Sequence, residues 1–275
     1  MAGFDLTATI GIKNENKFVD TRFAPIAEPN LFDNSVLIPN VTFTSKYQLD
    51  SAGQIVVHKA GLGTIGTAAA FSHIDVADTQ IIINRDERYN FSRIIYGDVE
   101  AATGMATAVN EMETGMQGIA ETWQAAVMAN VVANAGETSV LGTTAIDKDN
   151  VYNSMIDDRA LLVSNKARVA NIVAVVSPAV YGSMLKADLL VANASVGTLG
   201  ATAPALGNLI VLEYQGFAAT VDYVMYDSET LSVVPLLEAM RLKDTPDFIG
   251  SLAQGAVTSG TKVTNEDIAL VKLNA

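Results

Sequence analysis

The sequence predicts an α+β fold, and three observations carry that prediction. Residues 41–60 alternate apolar and polar side chains around a turn. A long helical pattern without proline follows from Asp98. The second half then runs helix, strand, helix and several short strands. No internal repeat is visible.

Residues 1–40 carry three of the seven prolines (Pro25, Pro29, Pro39) and no sustained periodicity, so they read as an arm. Val41, Phe43, Tyr47 and Leu49 alternate with Thr42, Thr44, Lys46, Gln48 and Asp50, the mark of a half-exposed strand. Asp50-Ser51-Ala52-Gly53 turns the chain, and Gln54 to Ala60, with Ile55 and Val57, is expected to return as its hairpin partner. Gly61 to Ala70 is rich in Gly, Thr and Ala, and a further strand is expected at Gln80–Asn84.

From Asp98 to Asn134 there is no proline, and Gly136 stands just past the end as a stop. As one helix these 37 residues span about 55 Å. At about 100° per residue, Met105, Val109, Met112, Met116, Ile119, Trp123, Val127 and Val131 fall on one stripe, and Glu100, Glu111 and Glu121 near the opposite pole. Gly104, Gly115 and Gly118 lie beside the acidic stripe, which predicts a bend or a close backbone neighbour. No Lys or Arg occurs from Ile94 to Asp147, so packing must stabilise this helix.

A second helix is expected over Asp149–Lys166 and a buried strand over Arg168–Val176. Ser177-Pro178 opens a third helix to about Ala192, with Tyr181, Met184, Leu185 and Leu189 inward. Asn193–Asn208 reads as a Gly/Thr/Ala loop, with strands after it at Leu209–Leu212, Thr220–Tyr226 and Ile268–Leu273.

Composition narrows the function. Hydrophobic residues make up 49% of the 275 and charged residues only 17%, where about 25% is usual. Mean hydropathy is +0.27. Such a chain has too little charge to solvate its whole outside, which points to large contacts with other subunits. The absence of Cys excludes a disulfide scaffold, thiolate metal sites and a Cys nucleophile. Two His argue against a His-rich zinc centre. A net charge of −13 disfavours sequence-reading contact with phosphate backbones. Met-Ala-Gly-Phe-Asp lacks the basic start and apolar run of a secretion signal, and Ser177-Pro178 interrupts the longest uncharged apolar stretch. The chain is therefore expected in a cytoplasm and not in a membrane.

Gly61-Leu62-Gly63-Thr64-Ile65-Gly66 is a literal G-x-G-x-x-G, with Asp86 beyond the next strand. It keeps a dinucleotide-dependent oxidoreductase as an alternative. Thr67–Thr79, however, must hold both the pyrophosphate-binding helix and a loop, and the strand before the glycines pairs backward. Asp147-Lys148-Asp149-Asn150 lacks the Gly and distal Glu of a calcium loop and reads as a helix start. His58 and His73 are isolated, and Ser195 lacks the glycine pattern of a nucleophile elbow. Arg85, Arg88 and Arg93 are the densest basic cluster. They lie among Asp86, Glu87 and Asp98, which favours ion pairing within or between subunits over nucleic-acid binding. No catalytic residue, metal or cofactor is assigned.

An arm, a two-stranded loop, and Gln80–Asn84 leading through Tyr89-Asn90-Phe91 into the long helix follow in an order that resembles the major capsid proteins of tailed bacteriophages. Val173-Ala-Val-Val-Ser-Pro-Ala-Val-Tyr-Gly-Ser-Met-Leu is similar to the strand–Ser-Pro–helix step of their axial domain. Glu238-Ala-Met-Arg-Leu-Lys-Asp-Thr-Pro-Asp-Phe-Ile is similar to the step that returns the chain to their peripheral domain. Gln254-Gly-Ala-Val-Thr-Ser-Gly departs from the family by lacking an acidic–basic pair.

The resemblance implies an N-terminal arm (1–40), an extended loop (41–78), a peripheral domain with a spine helix (79–134), an axial domain (135–236) and a return to the peripheral domain (237–275). It implies a structural shell subunit that forms pentamers and hexamers around double-stranded DNA, assembled in a bacterial cytoplasm and residing in the virion. It also implies a separate scaffolding protein or none, with portal and decoration proteins as further candidate partners. An encapsulin-like compartment of the same fold is the other alternative. The expected intersubunit contacts are Phe43, Tyr47, Leu49, Ile55, Val57, Arg85, Arg88 and Arg93.

Overall fold

The computed structural model describes residues 30–32, 35–44, 54–60, 78–99, 105–140, 145–189, 191–196, 201–206, 209–244 and 249–274. Three sheets and three helices organise them. Strands β1 (Gln54–Ala60) and β2 (Asp78–Asn84) form an antiparallel ribbon. Strands β3 (Glu87–Tyr96), β10 (Leu231–Asp244) and β11 (Gly250–Val263) form an antiparallel sheet in the order β10-β11-β3.

The third sheet has seven strands. In chain order they are β4 (Glu137–Val140), β5 (Ile172–Val176), β6 (Val191–Val196), β7 (Ala201–Leu206), β8 (Leu209–Glu213), β9 (Val221–Asp227) and β12 (Ala269–Leu273). Their spatial order is β4-β12-β9-β5-β8-β7-β6. The helices are α1 (Met105–Ala133), α2 (Val151–Ser164) and α3 (Pro178–Lys186).

Helix α1 lies on the three-stranded sheet. Met112, Met116, Ile119, Trp123, Val127 and Val131 of the expected stripe are buried, together with Ala108, Ala120 and Met128. Met105, at the first turn, is exposed instead. A helical turn also covers Gly97–Val99, while Glu100–Gly104, and so the continuity of the expected 37-residue helix, lie outside the described residues. Trp123 is fully buried, donates its Nε1–H to Ser259 Oγ at 2.9 Å, and meets the edge of Phe32.

The glycines divide as their surroundings dictate. The Phe91 ring sits between Gly115 of α1 and Gly255 of β11, and a Cβ at Gly115 would lie 2.5 Å from that ring. Gly118 faces open space. The close neighbour at Gly115 is therefore an aromatic side chain and not the backbone expected from the glycine pattern; Gly104 lies outside the described residues.

The strands β5, β9 and β12 of the seven-stranded sheet are buried on both faces. Val173, Val175, Val224, Tyr226 and Val271 point into the α1 core, whereas Ile172, Ala174, Val176, Tyr223, Met225 and Leu270 pack under α2 and α3. That is why β5 reads as an unbroken apolar run.

Four expectations change. β1 pairs with β2, so the ribbon closes over residues 61–77; among the described residues 41–44 instead turn back through Val41 N–H to Ile38 O, and Thr44 N–H bonds Leu231 O. The expected loop Asn193–Asn208 instead holds β7 and most of β6, an antiparallel pair that small Ala and Thr residues disguised. Helix α3 ends at Lys186 with Val180 and Met184 inward, and Leu185 is exposed. The 78/79 and 236/237 divisions fall inside β2 and β10, and β12 returns to the seven-stranded sheet between β4 and β9.

The glycine contrast predicts opposite outcomes. Gly118→Ala should raise the unfolding free energy of the unassembled subunit by about 1 kcal/mol. Gly115→Ala should lower it by about 1–3 kcal/mol through overpacking against Phe91. Urea unfolding of the two variants reads both signs.

Candidate functional site

The residues expected to make contacts sort into an inside and an outside. Phe43 is 1% exposed and belongs to the α1 core. Ile55 and Val57 are buried against Ile83 and Val234. All three therefore face their own chain, and for Ile55 and Val57 the reason is that period two sends their side chains to the covered side of the ribbon. The uncovered side carries Val56 (43% exposed) and Ile82 (50%), which lie opposite each other in the ladder. This apolar pair was missed in the sequence because only the inward set of the alternation was read. Tyr47 and Leu49 lie outside the described residues.

The arginine cluster disperses. Arg88 Nε pairs with Glu238 Oε2 of β10 at 3.0 Å. Arg93 pairs with Glu111 Oε2 of α1 at 3.1 Å. Neither partner is one of the nearby acids the sequence suggested: antiparallel pairing brings β10 close, and α1 crosses over β3. Arg85 is half-buried in the link between β2 and β3. Such surface pairs are worth about 0–1 kcal/mol each and set orientation more than stability.

The glycine motif fails on topology. Gly61, Gly63 and Gly66 lie outside the described residues, but the strands on either side of them, β1 and β2, are antiparallel neighbours. A dinucleotide unit needs parallel strands joined by a helix. Asp147 serves the helix start, because its Oδ1 accepts from the N–H groups of Asp149 and Asn150 just before α2. Among the described residues no group of three or more His, Cys, Asp or Glu could hold a metal ion, and no helix is long and apolar enough to cross a membrane.

A polar cluster lies inside the seven-stranded sheet. Lys272 of β12 is 2% exposed, and its Nζ lies 3.3 Å from Asp158 Oδ2 of α2 and 2.9 Å from Ser139 Oγ of β4. Ser139 Oγ donates to Asp158 Oδ1 at 2.8 Å, and Tyr223 OH donates to Asp158 Oδ2 at 2.6 Å. Ser154 Oγ is 3.1 Å from the same phenol. Burial, then the Asp158 charge and hydrogen bond, push Tyr223 well above the usual phenol range. Burial also raises the Asp222 carboxyl, opposed by the charge of Lys272. Every member is committed to a neighbour, so the cluster locks β4, α2, β9 and β12 together; it offers no free nucleophile. The sequence signal was a single Lys in an otherwise apolar last strand.

No protein-family model matches the sequence, and no curated protein matches it. Solved structures do share the fold. The capsid structure of cyanophage P-SCSP1u matches at TM-score 0.61 with 11% identity, covering 88% of this chain and 87% of that one. The mature capsid of bacteriophage PhiM1 matches at 0.55 with 14% identity, covering 89% and 86%. A virus-like particle from Pyrococcus furiosus matches at 0.59 with 9% identity, covering 90% and 96%. The chain has the α+β fold of phage capsid proteins, retained where little sequence is shared.

Two predictions follow from the buried groups. Lys272→Met should cost about 3–5 kcal/mol in urea unfolding, because it strands the Asp158 charge; adding Asp158→Asn should recover part of that loss. Tyr223 and the fully buried Tyr226 both have folded values raised above the unfolded one. Above about pH 10 the unfolded chain therefore releases phenol protons that the folded chain keeps, and stability falls as pH rises. Tyr226→Phe should flatten that fall, measured as the urea midpoint between pH 9 and pH 11.

Proposed function

We propose that this chain is the structural subunit of a phage head. Copies of it form pentamers and hexamers that close into an icosahedral shell around double-stranded DNA. The shared capsid fold supports this reading, and the observation that carries it is the ribbon β1–β2. Its inner face is satisfied by its own chain, whereas its outer face presents Val56 and Ile82 to solvent. A two-stranded ribbon with an exposed apolar face is stabilised by lying across another surface. Copies of the chain supply that surface, through heterologous contacts that close on themselves.

The arm (1–40) and the extended loop from residue 41 are the parts proposed to bridge subunits. The work is structural and not catalytic. Scaffolding, portal and decoration proteins are the further partners of such a shell, built in the host cytoplasm and carried in the virion. The acid-rich chain suits a wall that encloses DNA without adhering to it.

The test is assembly of the purified chain, followed by light scattering and electron microscopy. Closed particles are expected, and a monomer under every assembly condition would refute the reading. Particles that co-purify with an enzyme and no nucleic acid would place the chain in a protein compartment instead. Val56→Asp with Ile82→Asp should abolish particles and leave the unfolding midpoint of the subunit unchanged. Ile55→Asp should instead unfold the ribbon, because it buries a charge.

A further inference from the structure

A groove of about 640 Å³ runs beside α1, between residues 35–36 and the turn that follows β8. Val36 N–H donates to Gln124 Oε1 at 3.0 Å, and Tyr214 N–H bonds Val176 O at 2.9 Å, so both walls are tied to the body of the subunit. Glu121 of α1 and Glu213, the last residue of β8, are exposed on it, and no basic side chain lines it among the described residues. A second feature is independent of that charge. Tyr214 is 6% exposed, and its ring is held by an edge contact with Phe217. Its hydroxyl has no hydrogen-bond partner among the described residues, yet it is not sealed from solvent. The hydroxyl rests against Gly216, where a Cβ would collide with it, and both residues line the groove. A phenol this deeply buried normally finds a partner, and the open position here is in the groove.

We propose that this groove binds an aliphatic polyamine, with ammonium groups at Glu121 and Glu213, methylenes along Val36, Ala125 and Leu212, and one N–H donated to the Tyr214 hydroxyl. The inference does not depend on the shell reading, because a single chain supplies the whole groove. The chemistry of the lining selects this class of ligand. A metal ion needs several oxygens converging on one point, and among the described residues no group of three or more His, Cys, Asp or Glu could supply them. Apolar side chains line the same groove, and a chain of methylenes covers them while its charged ends stay on the carboxylates. Burial raises the Tyr214 phenol, so it stays protonated, and its oxygen keeps lone pairs that accept from an ammonium N–H. The residues before Asn30 do not compete for the groove on charge. They hold Asp5, Glu15, Asp20 and Glu28 against Lys13, Lys17 and Arg22, one more acid than bases.

The test is calorimetric titration of the unassembled 275-residue chain with spermidine. It is run in about 0.15 M salt, where exposed charges more than about 8 Å away are largely screened. One saturable site is expected. Glu121→Gln with Glu213→Gln should weaken it about tenfold or more, the loss expected when charge-assisted hydrogen bonds are removed. Asp149→Asn with Asp157→Asn removes the same charge from exposed positions at α2 and should leave binding unchanged. Tyr214→Phe keeps the ring contact with Phe217 and should weaken binding about two- to tenfold. Butylamine, with a single ammonium, should bind about tenfold or more weakly than spermidine. Equal weakening in the two double variants would assign the signal to net charge and overturn the proposal. Unchanged binding in Tyr214→Phe, equal binding of butylamine, or no saturation with the wild-type chain would also overturn it. Assembly is read separately. Chains that form particles but do not bind spermidine overturn this inference alone, and chains that bind spermidine but never assemble uphold it and remove the shell reading.

Discussion

Everything else in the subunit is placed by the contact between α1 and the sheet β10-β11-β3. The helix has no basic residue with which to form internal ion pairs, so burial of its apolar stripe is what holds it. Trp123 stands at the centre of that contact. Its indole fills the space between sheet and helix, its N–H is satisfied by Ser259, and Phe32 closes over it from the N-terminal segment. At about 25 cal/mol per Å² of apolar area, a stripe of this kind far outweighs the surface pairs Arg88–Glu238, between β3 and β10, and Arg93–Glu111, between β3 and α1.

From that centre the chain extends in two directions. The seven-stranded sheet uses one face to complete the α1 core and the other to carry α2 and α3. Its C-terminal strand is tied in by Lys272, a costly device: a buried ion pair gains little over apolar packing, but losing one partner is severe. The consequence is registration. β12 lies between β4 and β9, so the polar cluster fixes how the last strand meets the helix that follows β4. The ribbon lies in the other direction and has only a small cluster of its own, Ile55, Val57 and Ile83 on Val234. A ribbon with one face covered by its own chain and an exposed apolar pair on the other is the physical form of a part made for assembly.

Much of this was legible in the sequence because it depends on local period. The α1 stripe, the buried run of β5, the Ser177-Pro178 helix start and the last strand all follow from spacing and turn chemistry. What depends on distant partners was not legible. The partner the structure describes for β1 lies beyond residues 61–77, where nearest-neighbour hairpin logic does not look, and residues 45–53 of the expected hairpin lie outside the described residues. Seven of the twelve residues of β6 and β7 are Ala, Thr or Ser, so these strands show no clear apolar–polar alternation. The ion-pair partners of Arg88 and Arg93 lie 150 and 18 residues away, and only the fold brings them near. The inward placement of Ile55 and Val57 shows the same limit, because period two separates two faces without saying which one the chain itself covers.

Amide hydrogen exchange, compared between the free subunit and the assembled particle, tests the account most directly. It predicts that α1 and β11 are protected to the same degree in both states, because their burial is internal. It also predicts that the backbone amides of β1 and β2 exchange rapidly in the free subunit and slow markedly on assembly. A ribbon equally protected in both states would contradict the account, because its outer face would then need no neighbour.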